Sequence, residues 1–188
     1  MSVMKEYDQF KNKIMELQSD WNLFTVEFIN SKEFKDFADH LIDKLRDGAC
    51  NEVRITSYFS ETVRESLEQF AQMTGHKVQL ITQELDLNKP KDKKNLDVLR
   101  SLCKKGVEIK VNYRIHARLL VARQTGFPQT LGLLIIGSFD FNTEGMGKER
   151  LDAGIRTKHP DLINAAIEFF DNIWKAPQSI PLNEKYPF

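Results

Sequence analysis

Cysteine is nearly absent. Cys50 and Cys103 are the only two in 188 residues, too few for a disulfide framework and not spaced as metal ligands, so buried thiols in a reducing compartment are expected. A net charge is missing as well. The 27 lysines and arginines balance 27 aspartates and glutamates, which leaves no overall field to attract DNA, RNA or an acidic membrane. Nucleic-acid binding would need a local basic patch. No run approaches the roughly 20 apolar residues of a membrane span. The opening residues, MSVMKEYDQFKNKIMELQSDW, carry acids and bases where a secretory signal would be apolar. The expectation is a soluble, cytoplasmic protein with no membrane partner. No internal repeat is visible, and the length suits one domain able to bury roughly 70% of its unfolded surface.

What is present reads as an α/β chain. Val3, Tyr7, Phe10, Ile14 and Leu17 fall at helical spacing, so residues 1–22 are expected to form an amphipathic helix. Phe24 to Ile29 alternates as a short strand, and Asn30-Ser31 offers an N-cap to a helix carrying Phe34, Phe37, Ala38, Leu41, Ile42 and Leu45, ended by Gly48. Val53 to Phe59 is a second strand. Ser60 then caps a helix with Val63, Leu67, Phe70 and Met73. Val78 to Thr82 is a third strand, Lys94 to Lys105 a helix with Leu96, Leu99 and Leu102 on one face, and Val107 to Val111 a fourth strand. This alternation predicts parallel strands with covering helices. Pro160-Asp161 opens a closing helix, and residues 177–188, with three prolines, are expected to lie extended on the surface. The domain proper spans residues 23–176.

One stretch suggests chemistry. Between Ile115 and Ile155 two apolar runs, Leu119 to Ala122 and Leu131 to Ile136, are separated by Gly126 and Pro128 and read as a hairpin. The first opens with His116 and Arg118, two residues apart on a strand and so on one face, where imidazole and guanidinium could reach one anion. A phosphate is the obvious candidate. The second run empties into Gly137-Ser138, and Leu151 to Arg156 forms a last short strand.

These residues resemble the signature of the phospholipase D superfamily: His-x-Lys and an aspartate, then Gly-Ser-x-Asn, then an Asn-x-Glu-like segment. His116-Ala117-Arg118 is similar to the first part, Gly137-Ser138-Phe139-Asp140 to the second, and Leu151-Asp152 with the residues after it to the third. Arg118 stands where lysine is usual, Arg123 where the first motif has aspartate, Asp140 where the second has asparagine, and Asp152 where glutamate is usual. The resemblance implies a mixed, largely parallel central sheet flanked by helices. It also implies a metal-free, cofactor-free phosphodiesterase chemistry in which one histidine attacks phosphorus and another protonates the leaving oxygen. With one motif, the chain would act as a homodimer contributing His116 twice.

In that reading His116 is nucleophile or acid, and Arg118 stabilises the growing charge, which its planar fork can do bidentately. Ser138 donates to a phosphate oxygen, and Asp152 orients His116 through its ring N–H. Asp140, Asn142, Tyr58 and Arg123 are the candidate substrate contacts. Asp140 would repel a phosphodiester unless Arg123 or Arg156 compensates, and it could equally cap the backbone as a turn-former. The run Lys89 to Lys94 is a candidate backbone contact, although charged loops are usually just solvated. His40, His76 and His159 are expected to be surface or capping residues. Two functions follow: a nuclease-like phosphodiesterase acting on DNA or RNA, or a catalytically silent module that binds nucleic acid or a phosphate-bearing ligand.

Overall fold

The computed structural model describes residues 26–47, 49–57, 64–126, 131–138 and 152–187. The expected N-terminal helix, the Gly48 stop, the Ser60 cap, Tyr58, Asp140 and Asn142 lie outside them.

The first strand, β1, is Val26–Asn30, and Asn30 caps α1, Ser31–Asp39. Its side-chain oxygen accepts from the N–H groups of Lys32 at 2.9 Å and Glu33 at 3.0 Å, while the Glu33 carboxylate accepts from Asn30 N–H at 2.9 Å. This reciprocal capping box satisfies donors that a helix start otherwise leaves unpaired. One helix was expected from here to Leu45; the structure has two, with α2 at Leu41–Asp47. The break falls at His40. Its ring Nδ1 lies 3.0 Å from the Asp36 carbonyl oxygen, the acceptor that its own backbone N–H would use in a continuous helix. The apolar stripe survives the interruption, because Phe34, Phe37, Ala38, Leu41 and Leu45 are all buried.

The alternation expected downstream is present. Strands β2 (Glu52–Thr56), β3 (Lys77–Thr82) and β4 (Glu108–Val111) pair in parallel, with Ile55 beside Leu80 and Leu80 beside Ile109. Helices α3 (Arg64–Ala71) and α4 (Pro90–Lys104) make the crossovers. Helix α4 begins at Pro90, ahead of the expected Lys94, because proline suits a first turn whose N–H would be unpaired anyway. Past its end Gly106 takes φ +97°, which L side chains disfavour.

The hairpin strands β5 (Arg118–Gln124) and β6 (Leu131–Gly137) run antiparallel, from Arg118 opposite Gly137 to Gln124 opposite Leu131. A Cβ at Gly132 would lie 2.2 Å from the Ala122 carbonyl oxygen, so the two backbones can approach here only with glycine. Strand β7 (Ala153–Thr157) joins β6 to β1, and α5 (Pro160–Lys175) packs back on the sheet. Among the described residues the sheet has eight strands in the order β1-β7-β6-β5-β2-β3-β4-β8, β8 being Ile180–Pro181. Strands β1, β2, β3, β4 and β6 point one way, and β5, β7 and β8 the other. The expected mixed, largely parallel sheet flanked by helices is therefore present.

The sheet separates two apolar cores. On one face Val53, Ile55, Val78, Leu80, Leu120 and Ala122 meet the buried faces of α1 to α4. On the other, Ile81, Leu119, Val121 and Leu134 meet Ile163, Ile167 and Phe170 of α5. The second face also holds charge. Arg54, with a side chain only 8% exposed, donates to Asp171 at 2.6 Å and to Glu52 at 3.0 Å, and its guanidinium lies 5.6 Å from the Phe170 ring centroid. Glu52 also accepts from Arg123. Burial alone would push the Glu52 carboxyl up, but hydrogen bonds and charge from Arg123 and Arg54 outweigh it and hold the group below the usual carboxylate range.

The tail is not a loosely extended segment. Strand β8 pairs with β4, α6 (Leu182–Lys185) follows, and Leu182 and Tyr186 are buried. The Tyr186 hydroxyl accepts from Leu85 N–H at 2.7 Å and donates to Leu85 C=O at 3.1 Å. Proline at the sheet edge explains the brevity of the strand, since it cannot extend a ladder.

Tyr186→Phe should lower stability by about 1–3 kcal/mol in urea unfolding, because it strands both backbone groups of Leu85; an unchanged midpoint would mean the tail is not docked. The Glu52 contribution should be fully present above its ordinary unfolded value of about 4.3 and fade as pH falls through its lower folded value. Glu52→Gln should cost about 1–3 kcal/mol near neutrality, because Arg123 loses its ion pair and the buried Arg54 keeps only Asp171, and should flatten the acid limb of a stability–pH curve.

Candidate active site at the carboxyl edge of the sheet

Strand direction decides which loops meet. Strands β1, β2, β3, β4 and β6 end along one edge, while β5 and β7 begin there. His116 and Arg118 enter β5 at this edge, Ser138 leaves β6 there, and Asp152 precedes β7 there. Four candidates separated in sequence are thus carried to one side of the sheet, where open α/β sheets bind ligands.

The entry to β5 is held from below. Thr56, wholly buried, donates its hydroxyl to Ala117 C=O at 2.9 Å and accepts from Leu119 N–H at 3.2 Å. Arg118 lies between those two groups, so its backbone has little freedom. The Gln83 amide nitrogen donates to Ile115 C=O at 2.8 Å and lies 3.1 Å from His116 Nδ1. The Ile115 carbonyl can only accept, which orients the Gln83 amide with its nitrogen toward both groups. Nδ1 therefore accepts, and His116, exposed at the edge, carries its proton on Nε2. In this state the outward nitrogen is a hydrogen-bond donor and has no lone pair to offer.

Ser138 and Asp152 meet as expected of neighbours, but with each other. The Ser138 hydroxyl donates to Asp152 Oδ1 at 2.8 Å and accepts from Ala153 N–H at 3.2 Å. The Asp152 N–H donates to Ser31 Oγ at 3.1 Å. Among the described residues, the partner of the His116 ring is Gln83 rather than Asp152. Ser138 spends its one proton on that carboxylate and would have to turn to reach a phosphate. Arg123 does not belong here at all. It stands at the other end of β5, roughly 17 Å from Arg118 along the strand, paired with Glu52.

The remaining polar candidates resolve into structural roles. His159 accepts from Asp161 N–H at 3.2 Å and caps α5; His40 and His76 bond nearby carbonyl oxygens through Nδ1 at 3.0 and 3.1 Å. Cys50 is buried, and burial pushes its thiol up to about 11, which removes it as a nucleophile at neutral pH. Among the described residues no three histidine, cysteine, aspartate or glutamate side chains are grouped to hold a metal. Among them too, no helix is long and apolar enough to cross a membrane. Reading the sequence missed Gln83, Thr56 and Ser31. The available signal was position: each is a polar residue at or beside the carboxyl end of a strand.

The fold and this edge define a class, an open mixed α/β domain with its polar residues gathered where most strands end. Residues 41–174 match the family model described as cardiolipin synthase, phospholipase D-like domain, and the chain belongs to that family. Among solved structures it is similar to Nuc from Salmonella typhimurium, a phospholipase D family member, with TM-score 0.61 and 12% identity over 85% of this chain and 97% of that one. It is similar to NucT from Helicobacter pylori, with TM-score 0.57 and 12% identity over 85% and 99% of the two chains. A part of the polyphosphate kinase from Porphyromonas gingivalis, 29% of that chain, matches 91% of this one with TM-score 0.60 and 16% identity. Comparison with curated proteins finds no match.

Thr56→Val keeps the shape and removes the hydroxyl, leaving Leu119 N–H and Ala117 C=O without it. The substitution should cost about 1–3 kcal/mol in urea unfolding with unchanged far-UV circular dichroism. A neutral result would show that Thr56 does not hold the entry to β5.

Proposed function

We propose that the chain is a phospholipase D-like phosphodiesterase of the nuclease type, acting as a homodimer. The observation that carries this reading is the delivery of His116 and Arg118, by an antiparallel β5, to the edge where Ser138 emerges. Arg118 binds the phosphodiester, and His116 of one copy attacks phosphorus through Nε2. The P–N bond forms as the P–O ester bond breaks, and His116 of the second copy, doubly protonated, gives its Nε2 proton to the leaving oxygen and becomes neutral. Water then cleaves the phosphohistidine, releasing the phosphate monoester, with the second histidine as base. Each copy needs a proton on Nδ1, the nucleophile so that Nε2 is free and the acid because its ring is doubly protonated. If the Gln83 amide turns over, its oxygen accepts that proton, at the cost of about 0.5–1.5 kcal/mol for the bond to Ile115. Asp140, Asn142 and Tyr58 are retained as substrate contacts in this proposal; Arg123 is not.

A second reading has its own support. Gln83 holds His116 as a hydrogen-bond donor, and Ser138 is engaged with Asp152, an arrangement suited to binding a phosphate or nucleic acid without turnover.

Hydrolysis of bis-p-nitrophenyl phosphate in the presence of a chelator separates the two. The enzyme reading expects metal-free turnover that His116→Ala abolishes and a dimer in light scattering. A well-folded dimer without turnover, or a strict monomer, overturns it. The binding reading then requires retention of an oligonucleotide that weakens steeply with salt.

A further inference from the structure

The turn that leads into His116 displays a second pair of residues. Asn112 and Ile115 are both 5% exposed, whereas Tyr113 between them is 54% exposed, with Arg114 beside it in solvent. The backbone is tied on both sides of Tyr113. Asn112 N–H donates to Thr82 C=O at 2.9 Å, and the Asn112 side-chain amide donates to Ser179 Oγ at 2.9 Å. Arg114 N–H donates to Asn112 Oδ1 at 2.9 Å, Ile115 N–H to Asn112 C=O at 3.3 Å, and Gln83 to Ile115 C=O at 2.8 Å. The Arg114 guanidinium lies 5.2 Å from the Tyr113 ring centroid, within cation–π range.

Single exposed rings are ordinary on protein surfaces, so exposure decides nothing by itself. Position and rigidity do. Tyr113 is three residues from His116, at most about 10 Å of chain, and the same Gln83 braces both the turn and the imidazole. An aromatic face kept in water on a fixed backbone, with a cation against it, is preorganised to stack one more flat group.

We infer that Tyr113 and Arg114 form a stacking subsite for one base of a single-stranded nucleic acid whose phosphate lies at His116 and Arg118. Stacking accepts any base through its π face, and only an unpaired, unstacked strand presents that face. Arg114 adds charge for the flanking backbone. The inference rests on the nucleic-acid reading above and gives it a strand type.

Fluorescence anisotropy on full-length His116→Ala protein, which cannot cleave, tests it. The probes are labelled oligothymidylate, oligouridylate and an abasic sugar–phosphate strand, each of about 12 nucleotides, at low salt. The base-bearing strands should bind about 5- to 100-fold more tightly than the abasic strand. Adding Tyr113→Ala should bring them down to the abasic level, and Tyr113→Phe should keep the preference. Preference for either oligothymidylate or oligouridylate supports the subsite and identifies DNA or RNA as its source. If bases confer no advantage, or Tyr113→Ala leaves the advantage intact while all strands bind, the stacking subsite is wrong and nucleic-acid binding stands. If no strand binds, nucleic-acid binding is lost and the subsite with it.

Discussion

The register of β5 on β2 is the constraint on which the rest of the molecule depends. It is held at both ends by unlike means. At the carboxyl edge the buried Thr56 hydroxyl bridges Ala117 C=O and Leu119 N–H; at the other end Glu52 faces Arg123 and is shared with Arg54. A slip of one residue would turn Leu119 and Val121 out of the α5 core and carry Leu120 and Ala122 out of the other, while separating the ion pair. The same register places His116 and Arg118 at the edge. Stability and site therefore share one cause.

That edge combines rigid delivery with unfinished chemistry. The backbone around Arg118 and the turn before His116 are firmly bonded, whereas the side chains that would meet a phosphate are occupied: His116 by Gln83, Ser138 by Asp152. Each occupied group can be released by rotating one side chain, without moving the sheet.

Much of the fold was legible because its signals are local or periodic. The strand and helix alternation from Val53 to Val111 follows from apolar spacing, and the Asn30 cap from a side chain that competes for backbone donors. Departures came where a particular contact overrode the pattern. His40 interrupts a helix whose apolar stripe continues through it. Pro90 begins a helix rather than preceding one, and a proline-bearing tail buries Leu182 and Tyr186 on β4 and Leu85. Gly132, which spacing did not distinguish from other glycines, is required by the Ala122 carbonyl across the hairpin.

By itself the sequence determined the α/β class, the family, and the identity of the residues able to carry phosphate chemistry, because these depend on residue type, order and short-range spacing. Only the tertiary structure decided which of them share a site. Arg123 has the right charge and a suggestive place in the motif, but strand rise puts it at the wrong end of β5, where Glu52 claims it. Asp152 takes Ser138 rather than His116. Gln83 and Thr56, unremarked in the chain, become the residues that set the ring and the backbone. Pairings of this kind arise from strand direction and register across the sheet, and long-range register is not written in the local spacing of a sequence.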